Sequence, residues 1–179
     1  RKIGQRMGEQ EKTLGVHMSY TPVLDINTNP QNPIIGNRSF GEDPERVAEK
    51  GVALMRGHHD AGILTSGKHF PGHGDTAKDS HKTLPTVNFD RSRLQKIELL
   101  PFKKAIEQGL SSVMTAHLNV PALTLSNDPT SLSYGVVTEL LKQQMGFNGL
   151  AVTDALNMKG AEPVDSDTNM DLLALLAGN

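Results

Sequence analysis

The sequence predicts an α/β fold built on a parallel sheet, and three observations carry that reading. Short apolar, β-rich runs alternate with helical patterns along the chain. Each run ends in charged residues, histidines or Pro- and Gly-containing loops. No internal repeat or low-complexity linker interrupts the order. Alternation of this kind builds either a doubly wound sheet or a closed (β/α)8 TIM-type barrel.

Residues 17–24, 62–67, 112–116 and 149–153 are read as strands, each near the usual strand length. The first helix expected is 44–60, carrying Val47, Val52, Leu54 and Met55. Asp43 stands at its N-cap, and Pro44 at the first helical position, where a missing N–H does no harm. Residues 91–108 carry Leu94, Ile97, Leu100 and Ile106, and Pro101 should kink or divide that helix. Residues 133–145 carry Val136, Val137, Leu140 and Leu141, with Gly146 ending the helix. Another helix starts at 170–177. Four strands are about half a barrel, so the expectation is a partial segment, residues 1–179, of one barrel domain. The chain opens on Arg1-Lys2-Ile3-Gly4 with neither a start methionine nor a signal peptide, and it stops at Ala177-Gly178-Asn179. It reads as cut at both ends, and compartment is not legible.

Composition removes several function classes. Eighteen basic against 20 acidic residues give a net charge of -2 and a pI near 6.4, so no strong positive field is available for nucleic acid. Mean hydropathy is -0.37, and no apolar run approaches the roughly 20 residues that span a bilayer. There are no cysteines, which excludes disulfides, zinc–thiolate sites and thiol nucleophiles.

The chemistry-bearing residues follow the strands: Asp25 the first, Lys68 and His69 the second, His117 the third, Asp154 the fourth. In a parallel sheet these ends share one face, where ligands bind. The alternative is that each side chain only caps a strand or the next helix. The second loop is the densest, with three His, two Asp and two Lys in residues 68–81. Pro71, Gly72 and Gly74 forbid a regular helix there, so His69 and His73 are not a helical i,i+4 metal pair. Asp79 and His81, two apart, can meet across an extended segment, and a carboxylate holding a histidine is an acid/base arrangement. A His-rich loop is otherwise compatible with simple solvation.

Residues 68–76 (Lys-His-Phe-Pro-Gly-His-Gly-Asp-Thr) followed by Asp79-Ser80-His81 resemble the signature of glycoside hydrolase family 3. The resemblance is to its β-N-acetylglucosaminidase (β-N-acetylhexosaminidase) branch, which includes peptidoglycan-recycling enzymes of bacteria. Residues 22–27 with Asn29-Pro30, residues 36–41 around Arg38, and residues 147–158 around Asp154 are similar to further segments of that family, in the family's order. The resemblance implies a retaining hydrolase acting through a covalent glycosyl-enzyme on Asp154. It implies that His81, paired with Asp79, is the acid/base in place of the usual second carboxylate. Arg38, Lys68 and His69 are implied to bind the non-reducing N-acetylglucosamine. Asp25 is left between sugar binding and orienting Arg38, and His117 between lining the pocket and a structural hydrogen bond. Met158 is placed at the rim, and His73 and Asp75 are assigned to loop shape.

The implied partner is a small N-acetylglucosamine-containing glycan or muropeptide, with no cofactor and no metal. The branch includes cytoplasmic and exported bacterial members. A Glu-Gly-Gly segment that the family places on an earlier strand is missing, and so are its last two strands. Four alternatives stay open: a metal-dependent barrel hydrolase using His69, His73, His117 and Asp154, a non-catalytic carbohydrate-binding or structural domain of the same fold, a β-glucosidase-like specificity, and phosphorolysis. Residues 161–169 have no reading.

Overall fold

The computed structural model describes residues 1–76, 80, 82–124, 127–163 and 169–179. Four parallel strands lie side by side: β1 (Met18–Ser19), β2 (Leu64–Phe70), β3 (Ser112–Thr115) and β4 (Leu150–Thr153). Their spatial order is β1-β2-β3-β4, the order of the sequence. A doubly wound sheet reverses its strand order at a switch point, whereas a barrel adds each strand beside the last. The described strands show no reversal, so the sheet follows the barrel arrangement.

Helices fill the crossovers. α1 (Lys2–Thr13) precedes β1, and α2 (Pro44–Asp60) joins β1 to β2. α3 (Arg91–Lys96) and α4 (Leu100–Glu107) lie between β2 and β3. A helix with wide π winding, Gly135–Gln144, leads to β4, and α5 (Met170–Ala177) follows it. α2 begins as expected: the Asp43 carboxylate accepts the Arg46 N–H at 2.9 Å. The expected helix over 91–108 is two helices, with Pro101 in the first turn of the second, where proline is tolerated.

Two elements differ from expectation. The run 17–24 makes a regular ladder only at Met18 and Ser19, because Pro22 has no N–H to contribute. Pairing resumes beyond it: Lys68 N–H donates to the Pro22 carbonyl at 3.0 Å, and Leu24 N–H donates to the Lys68 carbonyl at 2.6 Å. Helix α1 was not anticipated at all. Its buried residues are Gly4 and Gly8, so it has no apolar stripe to read. It packs backbone against backbone on α2, where a Cβ on Gly57 would sit 2.6 Å from the Gln5 nitrogen.

The core lies between the sheet and α2, α4 and the π-wound helix, with Met55, Phe70, Phe102, Val113 and Leu141 fully buried. Phe70 and Phe102 meet edge to face at 5.3 Å. β2 and β3 are buried along nearly their whole length, as strands covered on both faces are.

The α1–α2 contact is testable. Gly57→Ala gains up to about 1 kcal/mol of helix propensity but forces a methyl into the α1 backbone, an overpacking that costs about 1–3 kcal/mol. The net expectation is a lower Tm by thermal unfolding. An unchanged or raised Tm would show that the two helices do not touch at this point.

Candidate active site

The strand ends deliver their side chains to one face. The Asp154 N–H donates to the Thr115 carbonyl at 2.9 Å, so β4 pairs with β3 up to the residue that carries the carboxylate. Asp154 Oδ1 accepts the next N–H, that of Ala155, at 2.9 Å, which turns the carboxylate out of the sheet plane. It borders a cavity of about 440 Å³ together with Arg38, Lys68, His69 and His73.

Lys68 and His69 are adjacent in sequence, and in a regular strand they would face opposite sides. The β2–β3 register explains how both border the cavity. Gly67 pairs with Val113 but Phe70 pairs with Thr115, so β2 carries one extra residue there. A bulge of this kind re-aims side chains. The Lys68–His69 and Phe70–Pro71 peptides flanking this point are both cis.

Asp25 lies beneath the cavity and is fully buried. Its carboxylate accepts the His69 N–H at 3.1 Å, the His73 N–H at 2.7 Å and the His69 Nδ1–H at 2.7 Å. Burial pushes this carboxyl up. The charge and hydrogen bond of His69, with help from His73, outweigh burial and hold it below the ordinary Asp value. Asp25 therefore positions His69 and the turn behind it. The described bonds of Arg38 include Nε–H to the Ile34 carbonyl at 3.0 Å and none to Asp25.

The Lys68 ammonium is held below its ordinary pKa, first by burial and then by Arg38, against the opposite pull of Asp154 and Asp25. Two cations and one carboxylate thus share the cavity wall.

Other predicted residues lie elsewhere. The His117 ring is 1% exposed. Its Nε2–H donates to the Ala155 carbonyl at 3.1 Å and its Nδ1 meets the Ser131 hydroxyl at 2.7 Å, so it supports the segment after Asp154 from below. Met158 belongs to that segment, is buried and does not border the cavity. Asp79 and His81 lie outside the described residues. Asp75 pairs with Arg93 at 2.8 Å, bracing the loop against α3. Sequence reading missed Tyr20, Ile34 and Met114 as cavity residues. They lie just after β1, in a loop and within β3, with only their place after or within β-rich runs as a signal.

The metal-dependent alternative finds no donor set: among the described residues no three His, Asp or Glu are grouped to hold an ion. The ring nitrogens of His73 and His117 are bonded within the protein. A larger cavity, about 690 Å³, lies between α2 and α4 on the outer layer and contains none of the strand-end residues.

All 179 residues match the family model of the glycosyl hydrolase family 3 N-terminal domain. The chain belongs to this family. It is 39% identical to beta-hexosaminidase A of Pseudoalteromonas piscicida, over 92% of this chain and 30% of that protein. It also matches the structure of a family 3 beta-N-acetylglucosaminidase from Paenibacillus sp. str. FPU-7, with a TM-score of 0.91 and 42% identity, over 99% of this chain and 34% of that one. The NagZ structure from Neisseria gonorrhoeae matches with a TM-score of 0.87 and 32% identity, over 99% and 50%. The chain thus spans a third to a half of the length of these relatives.

Asp25→Asn tests the buried carboxylate. Breaking such a charged, hydrogen-bonded pair costs about 3–5 kcal/mol. The folded-state pKa of Asp25 is depressed, so its contribution is present above the unfolded value near 3.8 and is lost as pH falls through the lower folded value. The stability gap between wild type and variant should be full at pH 7 and shrink below about pH 4. A gap that is constant with pH, followed by denaturant unfolding, would remove the charge from the explanation.

Proposed function

We propose that this chain is part of the catalytic barrel domain of a retaining glycoside hydrolase that removes terminal, non-reducing β-linked N-acetylglucosamine. The observation that carries the reading is that Asp154 shares one cavity with Arg38, Lys68 and His69 at the strand ends. The beta-hexosaminidase and beta-N-acetylglucosaminidase names of the relatives give it its substrate class.

In the proposed reaction the Asp154 carboxylate attacks the anomeric carbon as the glycosidic C–O bond breaks. His81 gives its proton to the departing oxygen, and Asp79 stabilises the imidazolium before transfer. The glycosyl–Asp154 ester then accepts water on the same carbon. His81 takes the water's proton, the ester C–O bond breaks, and the sugar leaves with its configuration retained. Arg38 and Lys68 supply N–H donors to sugar hydroxyls and the acetamido oxygen. His69 adds Nε2, since Asp25 holds its Nδ1. A muropeptide or another amino-sugar glycan is the natural substrate in this reading, and with a muropeptide the enzyme serves peptidoglycan turnover.

Three measurements on the complete protein test this. A slow, 2-fluoro-type inactivator should leave a covalent adduct on the peptide containing Asp154, seen by mass spectrometry, and an adduct elsewhere would reject the nucleophile. Aryl β-N-acetylglucosaminides should be cleaved with kcat/KM well above that for aryl β-glucosides. Equal values would reject the N-acetylhexosamine specificity. Release of a glycosyl phosphate on addition of inorganic phosphate would make the enzyme a phosphorylase.

A further inference from the structure

Ser80 stands between Asp79 and His81 in sequence, and it is tied down from two sides. Its side chain is buried, 2% exposed, with Oγ 3.1 Å from His73 Nε2. Its carbonyl accepts the Gly160 N–H at 3.0 Å. The direction of the ring contact follows from the neighbours. The Thr76 hydroxyl donates to the His73 carbonyl at 3.1 Å, so His73 Nδ1–H is the donor to Thr76 Oγ1 at 2.6 Å. The lone pair of Nε2 is then left for the Ser80 hydroxyl. Burial keeps the His73 pKa below its ordinary value despite the nearby Asp25 charge, which preserves that lone pair.

The other tie reaches the nucleophile. Gly160 lies six residues after Asp154, in a segment fixed by Met158 N–H to the Ala155 carbonyl at 3.1 Å and Ala161 N–H to the Met158 carbonyl at 3.0 Å. His117 Nε2–H holds the same Ala155 carbonyl. The approach is close: a Cβ on Gly160 would lie 2.7 Å from the Ser80 carbonyl oxygen and 2.8 Å from that of Thr83.

We propose that Ser80 is a positioning residue that sets the reach of His81 toward the sugar bound at Asp154, through its bonds to the His73 ring and the Gly160 N–H. The inference rests on the acid/base role given to His81 above. It assigns to His73 and Gly160, which the reaction itself does not use, the work of registering one half of the catalytic apparatus against the other. Misplacement of an acid by a fraction of an ångström weakens proton transfer and leaves the nucleophile in place.

The test uses the complete enzyme and a series of aryl β-N-acetylglucosaminides whose phenols differ in acidity. Ser80→Ala should lower kcat/KM about 10- to 100-fold on poor leaving groups. The loss should be under about threefold on an acidic phenol, which needs little protonation. Ser80→Thr, which keeps the hydroxyl, should recover part of it. Gly160→Ala, which keeps Oγ and the ring but sets a methyl against the Ser80 carbonyl, should give the same graded pattern and decides the matter if Ser80→Ala does not fold. His81→Ala is measured alongside. A graded loss in His81→Ala with a uniform loss, or none, in the Ser80 and Gly160 variants overturns the positioning role and leaves the acid/base reading standing. A uniform loss in His81→Ala overturns the acid/base reading, and the positioning role with it.

Discussion

The Asp25 carboxylate is the constraint on which the rest of the site is built. An ionised carboxylate with no exposure to water is stable only when its oxygens are fully supplied with donors. The described donors come from one short stretch, the backbone and ring of His69 and the backbone of His73. Meeting that demand turns the chain back on itself at the end of β2, where the Gly72 N–H closes on the His69 carbonyl at 2.8 Å. Gly74 then runs so close beneath Ile26 that any side chain there would overlap the Ile26 carbonyl. The path of the loop, and the direction in which His69 leaves the sheet, both follow from one buried charge.

Much of this was legible from residue types. The parallel sheet, the cap at Asp43, the split at Pro101 and the gathering of charged residues at strand ends all rest on local chemistry, which a sequence displays. What it does not display is contact made without side chains. Helix α1 escaped notice because its packing face is glycine, and glycine reads as a breaker until its partner helix is known. Lys68 and His69 could not be assigned to one cavity from strand periodicity, because the bulge that brings them together is a property of the β2–β3 register. Asp25 and His117 looked like pocket residues by position. The structure places both below the cavity, where a buried polar group organises its neighbours.

The cavity wall joins opposing charges at different depths. Lys68 is half-buried and Arg38 is exposed, and both border the Asp154 cavity. Burial and Arg38 act to discharge Lys68, while Asp154 and Asp25 act to keep its proton. The fully buried Asp25 enters this balance from below, so the carboxylate that shapes the loop also contributes to the charge of the lysine above it.

The two halves of the proposed chemistry stand on supports of different kind. Asp154 extends a strand ladder, paired through its own N–H to β3, and in the proposed reaction it meets the anomeric carbon. Its precision comes from the sheet. The proposed acid/base, His81, serves first the departing oxygen and then that of water. The tie from the His73 ring through Ser80 to Gly160 supplies a fixed point one residue from each member of the proposed pair, anchored to the same segment that follows Asp154. In the proposed reaction water enters from the side the leaving group vacated, so one fixed point beside the acid/base serves both of its proton transfers.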